Sequence, residues 1–198
     1  MIEEVRMPTK GKTTRERLLT AADELFYTQG VQSVGVDLIA KRAGSSKKSL
    51  YAIFGSKEAL VLSYLEARQD AIQKRIMGEL GRFDTPRERL LGIFDIVAEF
   101  FNGPAYHGCP FQSASVGSAI GSPIDLAHAK YRTWVRTLVT DLAAQTGVSD
   151  PEKVGREIHL LYDAANVAFN ADRDPSAAFT ARAAATAVLD HGKQSADN

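Results

Sequence analysis

Two lysines and a tyrosine lie close together near residue 50, in a combination suited to contacting nucleic acid. Lys47, Lys48 and Tyr51 share the predicted helix 47–54 with Ala52, and we expect these four to occupy its outer face. Ammonium and phenol groups donate hydrogen bonds to phosphate oxygens and to the edges of bases. The opposite face is expected to carry three core residues, Leu50, Ile53 and Phe54. This segment therefore predicts a short helix able to lie on a nucleic acid.

The residues before this helix indicate how it is positioned. A second short helix is expected at 36–43, and Gly44-Ser45-Ser46 joins the two. A tight turn with glycine between short helices is typical of a helix-turn-helix, whose second helix enters the major groove. Ser46 is placed to cap that helix, and the N–H groups at its start suit a phosphate. A three-helix packing unit with a solvated basic face would give the same pattern.

The rest of the chain lacks the residue spacing of an active site. Its four histidines are widely spread, at His107, His128, His159 and His191. They have no metal-ligand spacing. The glycines of 117–121 follow no predicted strand and lack a phosphate-loop lysine. No Ser, His and Asp set has a recognisable local pattern. We therefore expect a protein that is not an enzyme and has no catalytic residue, metal or cofactor.

The single cysteine, Cys109, allows two interpretations. It precedes a predicted helix and follows His107 by two residues, and both features lower a thiol pKa. Cys109 is then a candidate redox or electrophile sensor. The alternative is a small buried residue of the core. One cysteine provides no intramolecular disulfide.

Charge is distributed unevenly along the 198 residues, although 24 Lys and Arg balance 24 Asp and Glu. Residues 1–57 carry ten basic and six acidic residues, and the remainder carries fourteen and eighteen. A basic N-terminal part suggests a polyanionic partner for that part alone, although chance fluctuation also produces such a difference. The N-terminus lacks the apolar segment of a signal peptide, and no apolar run is long enough for a membrane span. We therefore expect a cytoplasmic protein with no membrane partner.

Apolar residues recur at helical spacing nearly everywhere, which predicts an all-α fold of about nine helices. Glycines at 30 and 44 mark helix ends, and a capping residue precedes proline at four predicted helix starts. Those pairs are Thr85-Pro86, Ser122-Pro123, Asp150-Pro151 and Asp174-Pro175. We predict a three-helix DNA-binding domain at 1–56. A helical bundle at 57–198 would serve ligand binding and dimerisation, and its first helix, about 57–80, would join the two.

About 50 residues from Thr14 resemble the DNA-binding region of the TetR family of bacterial repressors. The matching elements are Leu25-Phe26 with Gly30, Ile39-Ala40, Ala43-Gly44, Ser46-Lys47, Leu50-Tyr51, Phe54 and Lys57-Glu58-Ala59-Leu60. They occur in the family's order and with its gaps. The resemblance implies that the protein represses transcription as a dimer on a palindromic operator and is released by a small molecule. An activator role remains an alternative, because the outcome depends on where the operator lies.

The resemblance also implies residue roles. Thr14 and Arg15 would lie near the DNA backbone, and Lys57 would contact a phosphate. The recognition surface would consist of Ser46, Lys47, Lys48, Ser49 and Tyr51. Four positions depart from the family's usual residues, namely Gly35, Ser45, Lys48 and Ile53. Gly35 removes a cap from the second helix and Lys48 adds a cation, so the departures affect which operator is read.

The resemblance places the dimer interface on the last two large helices. An apolar stripe on the first of these consists of Val154, Ile158, Leu161, Ala165 and Ala168. The final helix is rich in alanine, which permits close helix approach. Packing within one chain is the alternative for both helices.

An effector pocket is expected in the same domain, where the family's pockets lie. The predicted lining consists of Phe94, Val97, Phe101, Phe111, Gln112, Trp134, Leu138, Tyr162, Asn166 and Phe169, with Asn102, His128 and Tyr131 as further polar anchors. Apolar walls with a few polar groups are the usual composition of a small-molecule site. We therefore expect a small, mostly apolar and uncharged effector.

Overall fold

The computed structural model describes residues 13–194, and all regular secondary structure in this part of the chain is helical. Its nine α-helices are α1 Thr14–Gln29, α2 Val36–Arg42, α3 Lys47–Phe54, α4 Lys57–Glu79, α5 Pro86–Phe101, α6 Pro110–Ser115, α7 Pro123–Gln145, α8 Pro151–Asp172 and α9 Ser176–Gln194. A short 3₁₀ turn, Leu80–Arg82, follows α4. The predicted all-α class with about nine helices is confirmed.

Side-chain caps explain where several of these helices begin. Thr13 and Thr85 each form a capping box with the glutamate three residues later, at the starts of α1 and α5. Asp150 accepts a hydrogen bond from the Lys153 N–H at the start of α8. At the fourth predicted start, α9 begins one residue after Pro175, and Asp174 accepts from the Ser176 N–H. The cap-proline pairs therefore located these helix starts to within one residue.

The chain divides into two compact units. The first contains Met1–Arg68 and Pro110–Ala127, and the second contains Gln69–Cys109 and His128–Asn198. Helices α4 and α7 each contribute residues to both units. The functional boundary at residue 56 stays a prediction. None of the helices in the described range 13–194 is long and apolar enough to cross a membrane.

Each unit has its own apolar core. In the first unit, the largest fully buried side chains include Leu18, Phe26, Ile39, Leu50, Leu60 and Tyr64. In the second unit, α5 supplies an almost continuous buried surface consisting of Leu90, Leu91, Ile93, Phe94, Ile96, Val97 and Phe101. Helix α9 packs on α5 and α8 through Ala178, Ala181, Ala185 and Leu189, all buried. The small alanine side chains allow this close packing within one chain.

Candidate functional site

Helices α2 and α3 form the predicted helix-turn-helix. Gly44 has φ +59°, a left-handed conformation that favours glycine, and it reverses the chain between the two helices. Ser46 caps α3 as predicted, because its Oγ accepts from the Ser49 N–H at 3.0 Å. Gly35 provides no side-chain cap for α2, also as predicted. Leu50 is completely buried and anchors α3 to the first unit.

The faces of α3 differ from the prediction at Ile53 and Lys47, each of which lies about 60° from the buried Leu50. Lys48, Tyr51 and Ala52 are exposed as expected, but Ile53 is 38 % exposed and does not face the core. At about 100° per residue, Ile53 lies about 60° from Leu50 and therefore on the flank of the helix. In an eight-residue helix held by Leu50 and the half-buried Phe54, that flank is left partly uncovered.

The two lysines of α3 have different surroundings. The Lys47 Nζ lies 3.2 Å from the Asp37 carboxylate of α2, and both side chains of this ion pair are exposed to solvent. Lys48 is exposed, and among residues 13–194 it has no acidic partner. An exposed ion pair contributes about 0–1 kcal/mol and does not lock a side chain in place. Lys47 and Asp37 together nevertheless carry no net charge, whereas Lys48 presents a full positive charge.

The remaining predicted DNA contacts lie at the starts of α1 and α4. The Arg15 guanidinium lies 5.4 Å from the centre of the Phe54 ring, so the start of α1 is next to the end of α3. Thr14 accepts a hydrogen bond from Arg17 at 3.3 Å. The Lys57 Nζ donates to the Val31 carbonyl at 2.7 Å, and an ammonium has two further N–H groups for a phosphate. DNA contact by these residues stays a prediction.

An aromatic cluster in the second unit contains two of the predicted effector-binding residues. The rings of Phe101 and Phe169 are stacked with centroids 4.3 Å apart. The Tyr106 ring packs on both, at 5.4 Å and 5.3 Å. Sequence reasoning did not select Tyr106, because its partners Asn166 and Phe169 are about 60 residues away in the sequence. The contacts make it part of the same wall.

A chain of hydrogen bonds continues from this cluster. The Tyr106 hydroxyl donates to Asn166 Oδ1 at 2.9 Å, and the Asn166 amide donates to the Tyr162 carbonyl at 3.0 Å. The Tyr162 and Tyr131 hydroxyls are 2.8 Å apart and buried. Burial is the main cause that raises the pKa of both phenols, so both stay protonated at neutral pH. The structure therefore joins predicted residues Phe101, Tyr162, Asn166 and Phe169 into one aromatic and polar region.

The other residues predicted to bind the effector are not joined to this region by the same contacts. The Trp134 ring centre lies 6.0 Å from that of Tyr131. Phe94 and Val97 are buried in the second unit, and Leu138 is half-buried there. Phe111 and Gln112 belong to the first unit, so their place in a pocket stays a prediction. Asn102 was expected as an anchor, but it is exposed, and its amide donates to the Ala98 carbonyl at 2.8 Å.

Cys109 is half-buried beside the two buried phenols. After burial, electrostatic interaction with Cys109 is among the causes that raise the pKa of Tyr131 and Tyr162. The preceding residue, Gly108, has φ +100°. Any Cβ at that position would collide with the Asn170 side chain of α8. Glycine therefore allows the chain to approach α8 and places Cys109 near the phenols.

The apolar stripe predicted for the dimer interface lies largely within the chain. Val154, Ile158 and Ala165 are buried, because this face of α8 packs inside its own unit. A different face is exposed. The large apolar residues exposed on these two helices are Leu160 and Val167 on α8 and Phe179 on α9, by 64 %, 50 % and 55 %. Exposed alanines at helical spacing from these residues are Ala164 and Ala171 on α8, and Ala183 and Ala187 on α9.

Beside that face lies one buried titratable group. His159 is 5 % exposed, and its Nε2 lies 3.9 Å from an Asp163 oxygen. Asp163 is itself paired with Arg132 at 2.5 Å. Burial is the largest influence and lowers the pKa of His159, while Asp163 acts in the opposite direction. The imidazole is therefore neutral at pH 7.

Comparison with known proteins gives one consistent result. Residues 18–64 match the family model described as bacterial regulatory proteins, tetR family. An uncharacterized HTH-type transcriptional regulator from Mycobacterium tuberculosis is 38 % identical over 76 residues, which cover 38 % of this chain and 38 % of that protein. The HTH-type transcriptional regulator LmrA from Bacillus subtilis is 27 % identical over 141 residues, covering 69 % of this chain and 74 % of LmrA.

The fold of the whole chain also has solved relatives. The crystal structure of SCO4454, a TetR-family transcriptional regulator from Streptomyces coelicolor, matches with a TM-score of 0.84 and 28 % identity. The match covers 91 % of this chain and 96 % of SCO4454. It therefore includes the C-terminal helices as well as the helix-turn-helix.

Proposed function

Because the chain belongs to the TetR family of bacterial regulatory proteins, we propose that it binds a palindromic operator as a dimer and represses transcription. The observation that carries this proposal is the outer face of α3. There Lys48, Tyr51 and Ala52 are exposed on a helix that follows a tight turn. Such a helix enters the major groove with its outward side chains against the bases. The proposal places the protein in the cytoplasm, where operator DNA is found.

The proposal is tested with the full-length protein and DNA from upstream of its own gene. Fluorescence anisotropy at physiological salt should show binding at least 1,000-fold tighter than to random DNA, roughly the lower limit for specific regulators. Tyr51→Ala should weaken this binding and leave the dimer intact. Equal affinity for both DNAs would contradict the proposal and favour non-specific binding or a partner protein as the signal.

We assign the dimer interface to the exposed face of α8 and α9 that contains Leu160, Val167 and Phe179. These three side chains lie on the helices that the family uses for dimerisation, and each is at least half exposed in a single chain. Exposed large apolar side chains favour burial against a second copy. Two recognition helices in one dimer would then read two half-sites about one helical turn apart.

The effector region is proposed to be the aromatic and polar region around Tyr131, Tyr162 and Asn166. The phenols stay neutral, because burial is the main cause that raises the pKa of both. This environment favours an uncharged ligand with an aromatic face and a hydrogen-bonding group. Binding would shift α4, which contributes residues to both units, and so change the spacing of the recognition helices. A complete release requires a difference in ligand affinity of about 5 kcal/mol between the two states.

The single tryptophan provides the measurement for this part of the proposal. Trp134 is next to Tyr131, so an effector in this region should change its fluorescence. The same compound should lower operator affinity over the same concentration range. Tyr162→Phe should weaken both responses to the same extent. A compound that changes Trp134 fluorescence but leaves operator affinity unchanged would refute the proposed coupling.

A covalent signal through Cys109 is the alternative that one observation favours. The thiol is half-buried, and it interacts electrostatically with the Tyr131 and Tyr162 phenols. Treatment with hydrogen peroxide or N-ethylmaleimide should then release operator DNA from the native protein but not from Cys109→Ser. Equal sensitivity of both proteins would exclude this alternative. Whether the regulator represses or activates is decided by transcription in vitro from its own promoter.

A further inference from the structure

The direction of each α3 side chain can be derived from the buried anchor of the helix. Leu50 is completely buried and so marks the inward direction. At about 100° per residue, Lys48 and Ala52 each lie about 160° from Leu50. Lys47 lies only about 60° away, on the flank opposite Ile53. Lys48 and Ala52 are therefore the two residues that point most directly away from the core, and both are exposed.

The neighbouring polar groups on α3 are already engaged or point sideways. Lys47 is paired with Asp37 at 3.2 Å. The Ser46 and Ser49 hydroxyls are 2.9 Å apart, and Ser46 also caps the helix. Tyr51 lies about 100° from Leu50. When α3 lies in the DNA major groove, the phenol is therefore directed toward one side of that groove. Lys48 is thus the one cation on the outward ridge of α3, with the Ala52 methyl group one turn further along.

These two side chains have defined preferences among base edges. A lysine ammonium only donates hydrogen bonds, and guanine is the base that presents two acceptors, O6 and N7, in the major groove. An alanine methyl group packs against the C5-methyl group of thymine. We propose that Lys48 reads a guanine and Ala52 reads a thymine in each operator half-site. This inference rests on the proposed function, because it specifies the bases that the same surface recognises.

The spacing of the two residues limits the spacing of the two bases. Four residues of α-helix span about 6 Å, and successive bases are about 3.4 Å apart. The guanine and the thymine therefore lie within about two base-pair steps of each other. The same two bases recur in the second half-site, because the two recognition helices of a dimer are equivalent.

The test begins with selection from a random palindromic DNA library by the full-length protein. The selected half-site should contain the guanine and the thymine at this spacing. Lys48→Ala should lose the preference at the guanine alone, and Ala52→Ser should lose it at the thymine alone. Lys74→Ala, which removes an exposed lysine of α4 outside the helix-turn-helix, is the matched control and should retain both preferences. Circular dichroism melting of each variant excludes misfolding as the cause.

Modified bases then test the individual atoms. Replacing the guanine with 7-deazaguanine removes N7 and should weaken binding by the native protein at least fivefold. Replacing the thymine with uracil removes its methyl group and should weaken binding about two- to fourfold. Each effect should disappear in the corresponding variant, Lys48→Ala or Ala52→Ser. Base effects that persist in those variants would overturn the inference but leave operator binding intact. Failure to select any sequence would overturn both the inference and the proposed function.

Discussion

Replacing Leu160 with alanine should weaken the dimer and leave the folded chain intact. The Leu160 side chain is 64 % exposed in one chain, and burying a whole leucine contributes about 1.5–3 kcal/mol. Burial of the exposed part at the interface is then worth about 1–2 kcal/mol per copy, or about 2–4 kcal/mol per dimer. Since about 1.4 kcal/mol corresponds to a tenfold change, the dimer dissociation constant should rise roughly 30- to 1,000-fold.

Sedimentation equilibrium of the full-length protein measures this constant directly. Met77→Ala is a matched control, because Met77 is 55 % exposed on α4, outside the proposed interface. That variant should dimerise like the native protein, and both variants should melt near the native temperature. Native dimer affinity of Leu160→Ala would show that the interface has been assigned to the wrong face.

Three further perturbations follow from individual contacts. Asp37→Asn removes the partner of Lys47, so the affinity for DNA should rise severalfold. The slope of the logarithm of affinity against the logarithm of salt concentration should become steeper by the equivalent of about one phosphate contact. An unchanged slope would contradict this prediction. His159 has a lowered pKa when folded, so acidification below its unfolded pKa of about 6.5 favours the unfolded state, which binds the proton more readily. Stability should therefore fall from pH 7 to pH 5, and His159→Gln should flatten the profile; an identical profile would refute the role of His159. Gly108→Ala combines a positive φ with a collision against Asn170, and should lower the free energy of unfolding by about 2 kcal/mol or more, measured by urea denaturation. Native stability of that variant would show that the segment rearranges freely.

Local signals in the sequence were sufficient to predict the helix boundaries and the helix-turn-helix. Caps such as Thr85 and Asp150 act within a few residues, and their effect does not depend on the rest of the fold. The turn at Gly44 and the burial of Leu50 follow from equally local patterns. These features were therefore predictable without knowledge of tertiary contacts.

Features that depend on which faces meet were not predictable in the same way. Helix α8 has two apolar faces, and the sequence does not indicate which one packs against α9 in the same chain. In the structure, the face with Val154 and Ile158 is buried within the chain and Leu160 is exposed. Tyr106 was missed because its partners, Asn166 and Phe169, are about 60 residues away in the sequence. Ile53 was placed in the core because periodicity cannot show that a short helix lacks a neighbour on one flank.

Hydroxyl-radical footprinting on the DNA upstream of the gene tests the central claim most directly. The full-length protein should protect two patches whose centres are about one helical turn of DNA apart. The protection should be lost when Lys48 and Tyr51 are both replaced with alanine in a chain that still folds and dimerises. A native dimer that protects no upstream DNA, or protection that survives the double replacement, would contradict the role of α3 in DNA recognition.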